Sequence, residues 1–124
     1  MEQLPFPDAI CTAASSAAKA VAASVVVAFS EHGTTARLIS KQRPAAPIVA
    51  FTPFEWVKRQ MALYWGVRPY TMAAIEHIEV RVTEAERRLK AEGLSKTGEK
   101  IVILSGTRVG QPGGTNLLKL HEVR

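Results

Sequence analysis

Residues 24–35, Ser24-Val25-Val26-Val27-Ala28-Phe29-Ser30-Glu31-His32-Gly33-Thr34-Thr35, decide how the rest of the chain is read. Val25 to Phe29 is a short, continuous, β-branched apolar run without polar alternation, the pattern of a strand buried on both faces. Ser30 to Thr35 then breaks into hydroxyls and a glycine, the composition of a turn leading into a helix. A strand covered on both sides needs helices on both sides, so the flanking sequence should alternate strands with helices.

Upstream, Pro5 and Pro7 discourage helix, and Asp8 is placed to cap one whose apolar positions Ile10, Ala13, Ala14, Ala17, Ala18 and Val21 follow helical spacing. Downstream, Thr34 or Thr35 can cap a short second helix through Leu38 and Ile39, which Pro44 and Pro47 stop. Ile48 to Phe51 is the second strand. Thr52-Pro53-Phe54-Glu55 has the form of a capping box with proline at the first helical position, opening a third helix through Val57 and Met61 that ends near Gly66. Val67 to Tyr70 is the third strand. Ile75, Ile78, Val82, Ala85 and Leu89 make one stripe along a long helix closed by Gly93. Lys100 to Ser105 is a fourth, central strand, and Gly106 to Thr115 is a glycine-rich loop. In the last segment Leu118 and Leu120 alternate with Lys119 and His121, as on a sheet edge. The order predicts an α/β fold with a largely parallel sheet, because parallel neighbours need helical crossovers.

The 124 residues, 47% hydrophobic and only 6% aromatic, suit one domain built on Ala, Val, Ile and Leu, with residues 1–7 as a lead-in. Cys11 is the only cysteine, which excludes an internal disulfide and a cysteine metal cluster and fits a reducing, cytoplasmic setting. No apolar stretch has the length of a membrane span, and Met1 to Pro5 lacks the form of a secretory signal. The net charge of +5 invites a nucleic-acid reading. The cations Arg37, Lys41, Arg43, Lys58, Arg59, Arg68, Arg81, Arg87, Arg88 and Lys90 are scattered along the chain, and the later ones interleave with Glu76, Glu79, Glu84, Glu86 and Glu92. A solvated basic surface is the expectation, with neither nucleic acid nor membrane as a partner.

Chemistry is expected at the two loops that follow the first and fourth strands. In doubly wound sheets ligands bind beyond the carboxyl ends of strands, where strand order reverses. Ser30, Thr34 and Thr35 offer hydroxyls, Gly33 permits close backbone approach, and a helix begins there with outward amides, which together make an anion site. Arg108 supplies a cation in the second loop. The same residues also suffice for two turns and a helix cap, and the residues alone leave both readings open. The spacing matches neither a Walker loop nor a GxGxxG fingerprint. His32, His77 and His121 are isolated, so no metal site is expected, and Glu31 beside His32 on a turn makes no acid/base pair.

Three phrases then carry a resemblance: Arg43-Pro44-Ala45-Ala46-Pro47-Ile48, Leu63-Tyr64-Trp65-Gly66-Val67, and Gly113-Gly114-Thr115-Asn116. With Ser30 to Leu38 before them, and in this order and spacing, they make the chain beyond residue 8 resemble the carboxyl-terminal domain of the pyruvate kinases. The resemblance implies a three-layer α/β/α domain with strand order 3-2-1-4-5 and the last strand antiparallel. It implies a regulatory and oligomerisation role, with a phosphorylated effector such as AMP or a sugar phosphate held between the loops after strands one and four.

Carried over by position, the phosphate cradle falls on Ser30, His32, Gly33, Thr34 and Thr35. Arg81 is a further phosphate ligand, and Arg108, Gly110, Gly113, Gly114 and Thr115 belong to the loop expected to close over the sugar. Glu31 stands where animal enzymes have Lys, and Ala74 where they have Trp, which points to a bacterial-type monophosphate rather than fructose bisphosphate. The family's catalytic machinery, with its magnesium and potassium ions, belongs to a barrel that these residues do not include. No catalytic residue, metal or cofactor is therefore expected here, and the chain alone is expected to be inactive. The family's catalytic barrel and other copies of the chain are the implied partners. A ligand-free oligomerisation module and a small phosphometabolite-binding protein are the alternatives.

Overall fold

Val25–Phe29 (β1) forms the middle of a five-stranded sheet ordered β3-β2-β1-β4-β5, and the computed structural model describes residues 5–106 and 115–124 around it. In chain order the other elements are Phe6–Ala20 (α1), Thr34–Lys41 (α2), Ile48–Thr52 (β2), Glu55–Met61 (α3), Val67–Thr71 (β3), Ile78–Ala91 (α4), Lys100–Gly106 (β4) and Thr115–Glu122 (β5). β1 lies parallel to β2 and to β4, with Val27 opposite Val49 on one side and Ile103 on the other. β5 alone runs antiparallel, against β4. The expected α/β/α fold and strand order are thus observed.

The period-two alternation of a strand divides its side chains between two cores. Val26, Ala28, Val102 and Leu104 face the layer of α1, α2 and α3, where they meet Cys11, Ala14, Ala36, Ile39, Val57 and Met61. Val25, Val27, Ile101 and Ile103 face α4 and meet Val82, Ala85 and Leu89. Both faces of the central strands are dry, so continuous apolar runs rather than alternating ones specify them. Cys11 sits fully inside the first core, and burial, with the Asp8 carboxylate nearby, pushes its thiol up to about 11.

Several local expectations are corrected. α1 begins at Phe6 and takes Pro7 into its first turn, where a missing amide costs nothing, so Asp8 lies inside the helix and does not cap it. α2 is preceded by Gly33 as its cap residue rather than by a threonine. The capping box is not formed: Phe54 holds the cap position, and the Thr52 hydroxyl donates instead to the Glu31 carbonyl at 3.0 Å. α3 ends at Met61, short of Gly66. α4 begins at Ile78, and Ile75 packs on the second core from the preceding segment. Gly93 does adopt the left-handed conformation, φ +70. On β5, Leu118 packs on the first core whereas Leu120 is exposed.

Gly33 is held at φ +90, in the left-handed region that costs any other residue backbone strain. A Cβ there would meet Val57, Met61 and Tyr64 at ordinary contact distances of 3.6–3.7 Å, so the penalty is conformational rather than steric. Gly33→Ala is expected to cost about 1–2 kcal/mol, read as a shift in the urea unfolding midpoint with an unchanged slope.

The carboxyl terminus is tied to α4. His121 Nε2 lies 2.6 Å from Glu86 Oε1, which also accepts the Arg124 amide at 3.0 Å, while Lys90 Nζ donates to the Arg124 carbonyl. Burial pushes the Glu86 carboxyl up, but the Arg124 amide, His121 and Lys90 outweigh it and hold the group below its ordinary value. A carboxyl depressed in the folded state stabilises above its unfolded value, and that contribution disappears as pH falls through the folded one. Thermal melts are expected to lose stability on acidification through this range, and Glu86→Gln to flatten that part of the profile.

Candidate functional site

The parallel pairing of β1 with β4, and of β1 with β2, places Ser30, Thr52 and Ser105 along one carboxyl rim. Each is a hydroxyl just beyond, or at the end of, a buried apolar run, and each is itself buried. Among the described residues these hydroxyls organise the rim. Ser30 Oγ accepts the amide of Ala36 at 3.2 Å, and Ser30 N donates to the Phe51 carbonyl at 2.9 Å. Thr52 Oγ1, besides donating to Glu31, accepts the Phe54 amide at 3.3 Å. From the sequence Thr52 was read only as a helix cap and Ser105 only as the end of a strand, although a hydroxyl closing an apolar strand run is a signal that would have placed both at the rim.

The repeating bonds of α2 start with the Arg37 amide donating to the Gly33 carbonyl at 3.0 Å. The amides of Thr34 and Thr35 therefore precede the helical ladder, where a helix start carries partial positive charge. Ser30 already occupies the third first-turn amide, so of the expected cradle Ser30 shapes the turn while Thr34 and Thr35 present theirs at the rim. Thr35 Oγ1 is bonded to Thr115 Oγ1, both buried, which joins the first turn of α2 to the start of β5. Gly106 and Thr115 are opposite one another in the β4/β5 ladder, so β4 ends and β5 begins at this point. Arg108, Gly110, Gly113 and Gly114 lie outside the described residues.

His32 points toward α3. Its ring stacks on Phe54 with centroids 5.9 Å apart, and Phe54 in turn stacks on Trp56 at 6.2 Å. Arg81 reaches the rim from the other face of the sheet. One turn into α4, it is 8% exposed, donates from Nη1 to Ser105 Oγ at 2.6 Å and from Nε to the Ile75 carbonyl, and lies 5.9 Å from the Phe29 ring. Burial lowers the affinity of its guanidinium for a proton, and the Glu31 carboxylate opposes this. No cluster of three or more His, Cys, Asp or Glu side chains suited to a metal occurs among the described residues, and no helix among them is long and apolar enough to cross a membrane.

A sheet whose strand order reverses at β1 and β4, with a helix start, buried hydroxyls and an arginine gathered at that reversal, defines a doubly wound α/β domain with a polar rim at the switch point. Known proteins narrow this class. Residues 8–121 match the family described as pyruvate kinase, alpha/beta domain. Pyruvate kinase of Agrobacterium vitis is 37% identical over 117 residues, which is 94% of this chain and 24% of that protein. The enzyme of Clostridium perfringens is 34% identical over 118 residues, 95% of this chain and 25% of that one. Among solved structures, Cryptosporidium parvum pyruvate kinase in complex with ADP superposes with a TM-score of 0.89 at 33% identity, covering all of this chain and 25% of the other. The chain belongs to the pyruvate kinase alpha/beta-domain family, and it spans about a quarter of the length of these relatives.

Proposed function

We propose that the chain is a regulatory and assembly domain of pyruvate kinase type, which holds a phosphorylated effector, AMP or a sugar monophosphate, over the β1/β4 rim. The observation that carries this reading is the adjacency of the two polar loops, joined at Thr35 and Thr115 above the first turn of α2. A phosphate there would take the Thr34 and Thr35 amides and hydroxyls, with Arg81 as a neighbouring cation. Glu31, close enough to influence Arg81, disfavours a second phosphate at the same end. Phosphoryl transfer between phosphoenolpyruvate and ADP is assigned to the family's barrel, and this chain's part is to bias a multi-subunit equilibrium by binding one state better.

Thermal unfolding in the presence of AMP, glucose 6-phosphate or fructose 1,6-bisphosphate tests the effector site, since a ligand of the folded form raises the midpoint by mass action. A monophosphate is expected to raise it more than the bisphosphate does. Thr34→Glu separates binding from folding: a carboxylate in the first turn of α2 favours the helix but repels phosphate, so basal stability is kept while the response disappears. Indifference to all three compounds at millimolar concentration leaves the assembly role alone. That role rests on the β5 edge and on exposed Leu120 and Val80, and light scattering of Leu120→Glu beside the parent chain tests it.

A further inference from the structure

The two faces of the sheet are covered unequally. Three helices pack on the first core, whereas α4 is the only helix among the described residues on the second. Five strands about 4.8 Å apart make a surface about 19 Å wide between its outer members, and one helix covers about 10 Å of it. α4 meets β1 and β4 through Val82, Ala85 and Leu89, so the flank over β2 and β3 is closed by other parts. Arg88 places its guanidinium 5.7 Å from both the Phe51 and the Tyr70 rings, and residues 72–77 lead from the end of β3 to α4.

An open cavity of about 370 Å³ is left between these parts. Pro53, Met72, Ile75 and Val80 are its apolar walls, and Glu84 and Arg88 supply its charges. Val80, Glu84 and Arg88 succeed one another at four-residue spacing along one flank of α4. The cavity shares no residue with the candidate effector site, which lies over β1 and β4. Hydrogen bonds decide the sign of its charge. Both Glu84 carboxylate oxygens accept from Arg87, Oε2 at 3.0 Å and Oε1 at 2.5 Å. Arg88 donates Nη1 to the Thr71 carbonyl at 3.0 Å, and its fork carries further N–H donors. It has no carboxylate within ion-pair distance among the described residues. The acidic side chain of the cavity is thus neutralised by its neighbour, and the basic one is not.

We propose that this cavity binds a compact apolar monocarboxylate, with its carboxylate on Arg88 and its hydrocarbon body against the four apolar walls. A guanidinium fork suits a carboxylate, and the walls suit aliphatic carbon. Volume limits the size: at roughly 30 Å³ per heavy atom, the share a water takes in the liquid, the space accepts on the order of ten heavy atoms. A phosphate dianion is a poor occupant, since one cation cannot offset its desolvation against four apolar walls. An amine is poorer still, because Arg87 already holds the carboxylate it would need. Ile75, one of the walls, is also the residue whose carbonyl Arg81 holds, so a bound acid supports residues 72–77 and raises the thermal midpoint.

Amide correlation spectra of the full chain, titrated with isocaproate and separately with isocaproamide, test this. The expected result is saturable shifts confined to residues 71–75 and 80–88, with a Kd on the order of 1 mM for the acid. The amide keeps the hydrocarbon and loses the charge, and is expected to bind at least about tenfold more weakly. Arg88→Met keeps an apolar stem over Phe51 and Tyr70 and should weaken the acid by a similar factor. Ala73→Phe separates binding from folding: Ala73 lines the cavity and is exposed, so the larger side chain is expected to hold the thermal midpoint while abolishing the shifts. Absence of saturation about tenfold above that concentration, equal affinity for acid and amide, or unchanged binding in Ala73→Phe would each overturn the proposal. So would shifts at residues 30–35 in place of those at 71–75, which put the acid on the β1/β4 rim instead.

Discussion

Arg81→Ala is expected to destabilise the domain by about 2–4 kcal/mol and to lower its thermal midpoint by roughly 10 °C, the range for breaking a buried, charge-assisted network. The side chain is 8% exposed and clips together three parts of the fold: α4, the Ile75 carbonyl ahead of it, and Ser105 at the end of β4. Truncation leaves that carbonyl and hydroxyl facing a cavity beside Phe29. Arg81→Lys should recover only part of the loss, since one ammonium cannot reproduce the fork that reaches both acceptors. Arg81→Met is the decisive variant. If it matches the parent chain in urea, desolvation of the buried cation cancels its hydrogen bonds and the clip adds nothing. The same variants bear on the proposed effector site, where a guanidinium already bonded to Ile75 and Ser105 would act on a phosphate only by position and charge.

Leu89→Ala is expected to cost about 3 kcal/mol, near the middle of the range for buried leucines. Leu89 is fully buried in the core between α4 and the sheet, and α4 is the only helix among the described residues on that face. No second helix can slide in to fill the space, so the cavity persists. Leu63→Ala, at a side chain 85% exposed, is the matching control and should stay within about 0.5 kcal/mol of the parent. Equal losses at the two positions would mean that the α4 face is loosely packed, contrary to the contacts of Val82, Ala85 and Leu89.

The strands were legible because burial on two faces writes itself into sequence as an unbroken apolar run: Val25 to Phe29, Ile48 to Phe51 and Ile101 to Leu104 all lie where they were read. Helix starts were less legible, since tertiary partners compete for the capping groups. Thr52 has the sequence of a capping box, yet its hydroxyl serves the Glu31 carbonyl and holds the first loop, so α3 starts from Phe54 without a side-chain cap. Ile75 fits the stripe of α4 by spacing alone, but its carbonyl is held by Arg81, which keeps the segment before Ile78 out of the helix. In the candidate site, Ser30, Gly33, Thr34 and Thr35 could be named from composition. The link from Thr35 to Thr115 joins residues far apart in the chain, and only the fold reveals it.

The amino-acid sequence by itself determined the alternation of helix and strand, the doubly covered sheet and the two polar loops, because each follows from local periodicity and turn chemistry. Tertiary structure decided which strands are neighbours, how deeply Arg81 is buried, and that Thr35 meets Thr115. Those properties depend on pairing between segments distant in sequence, and pairing is settled by packing both cores at once.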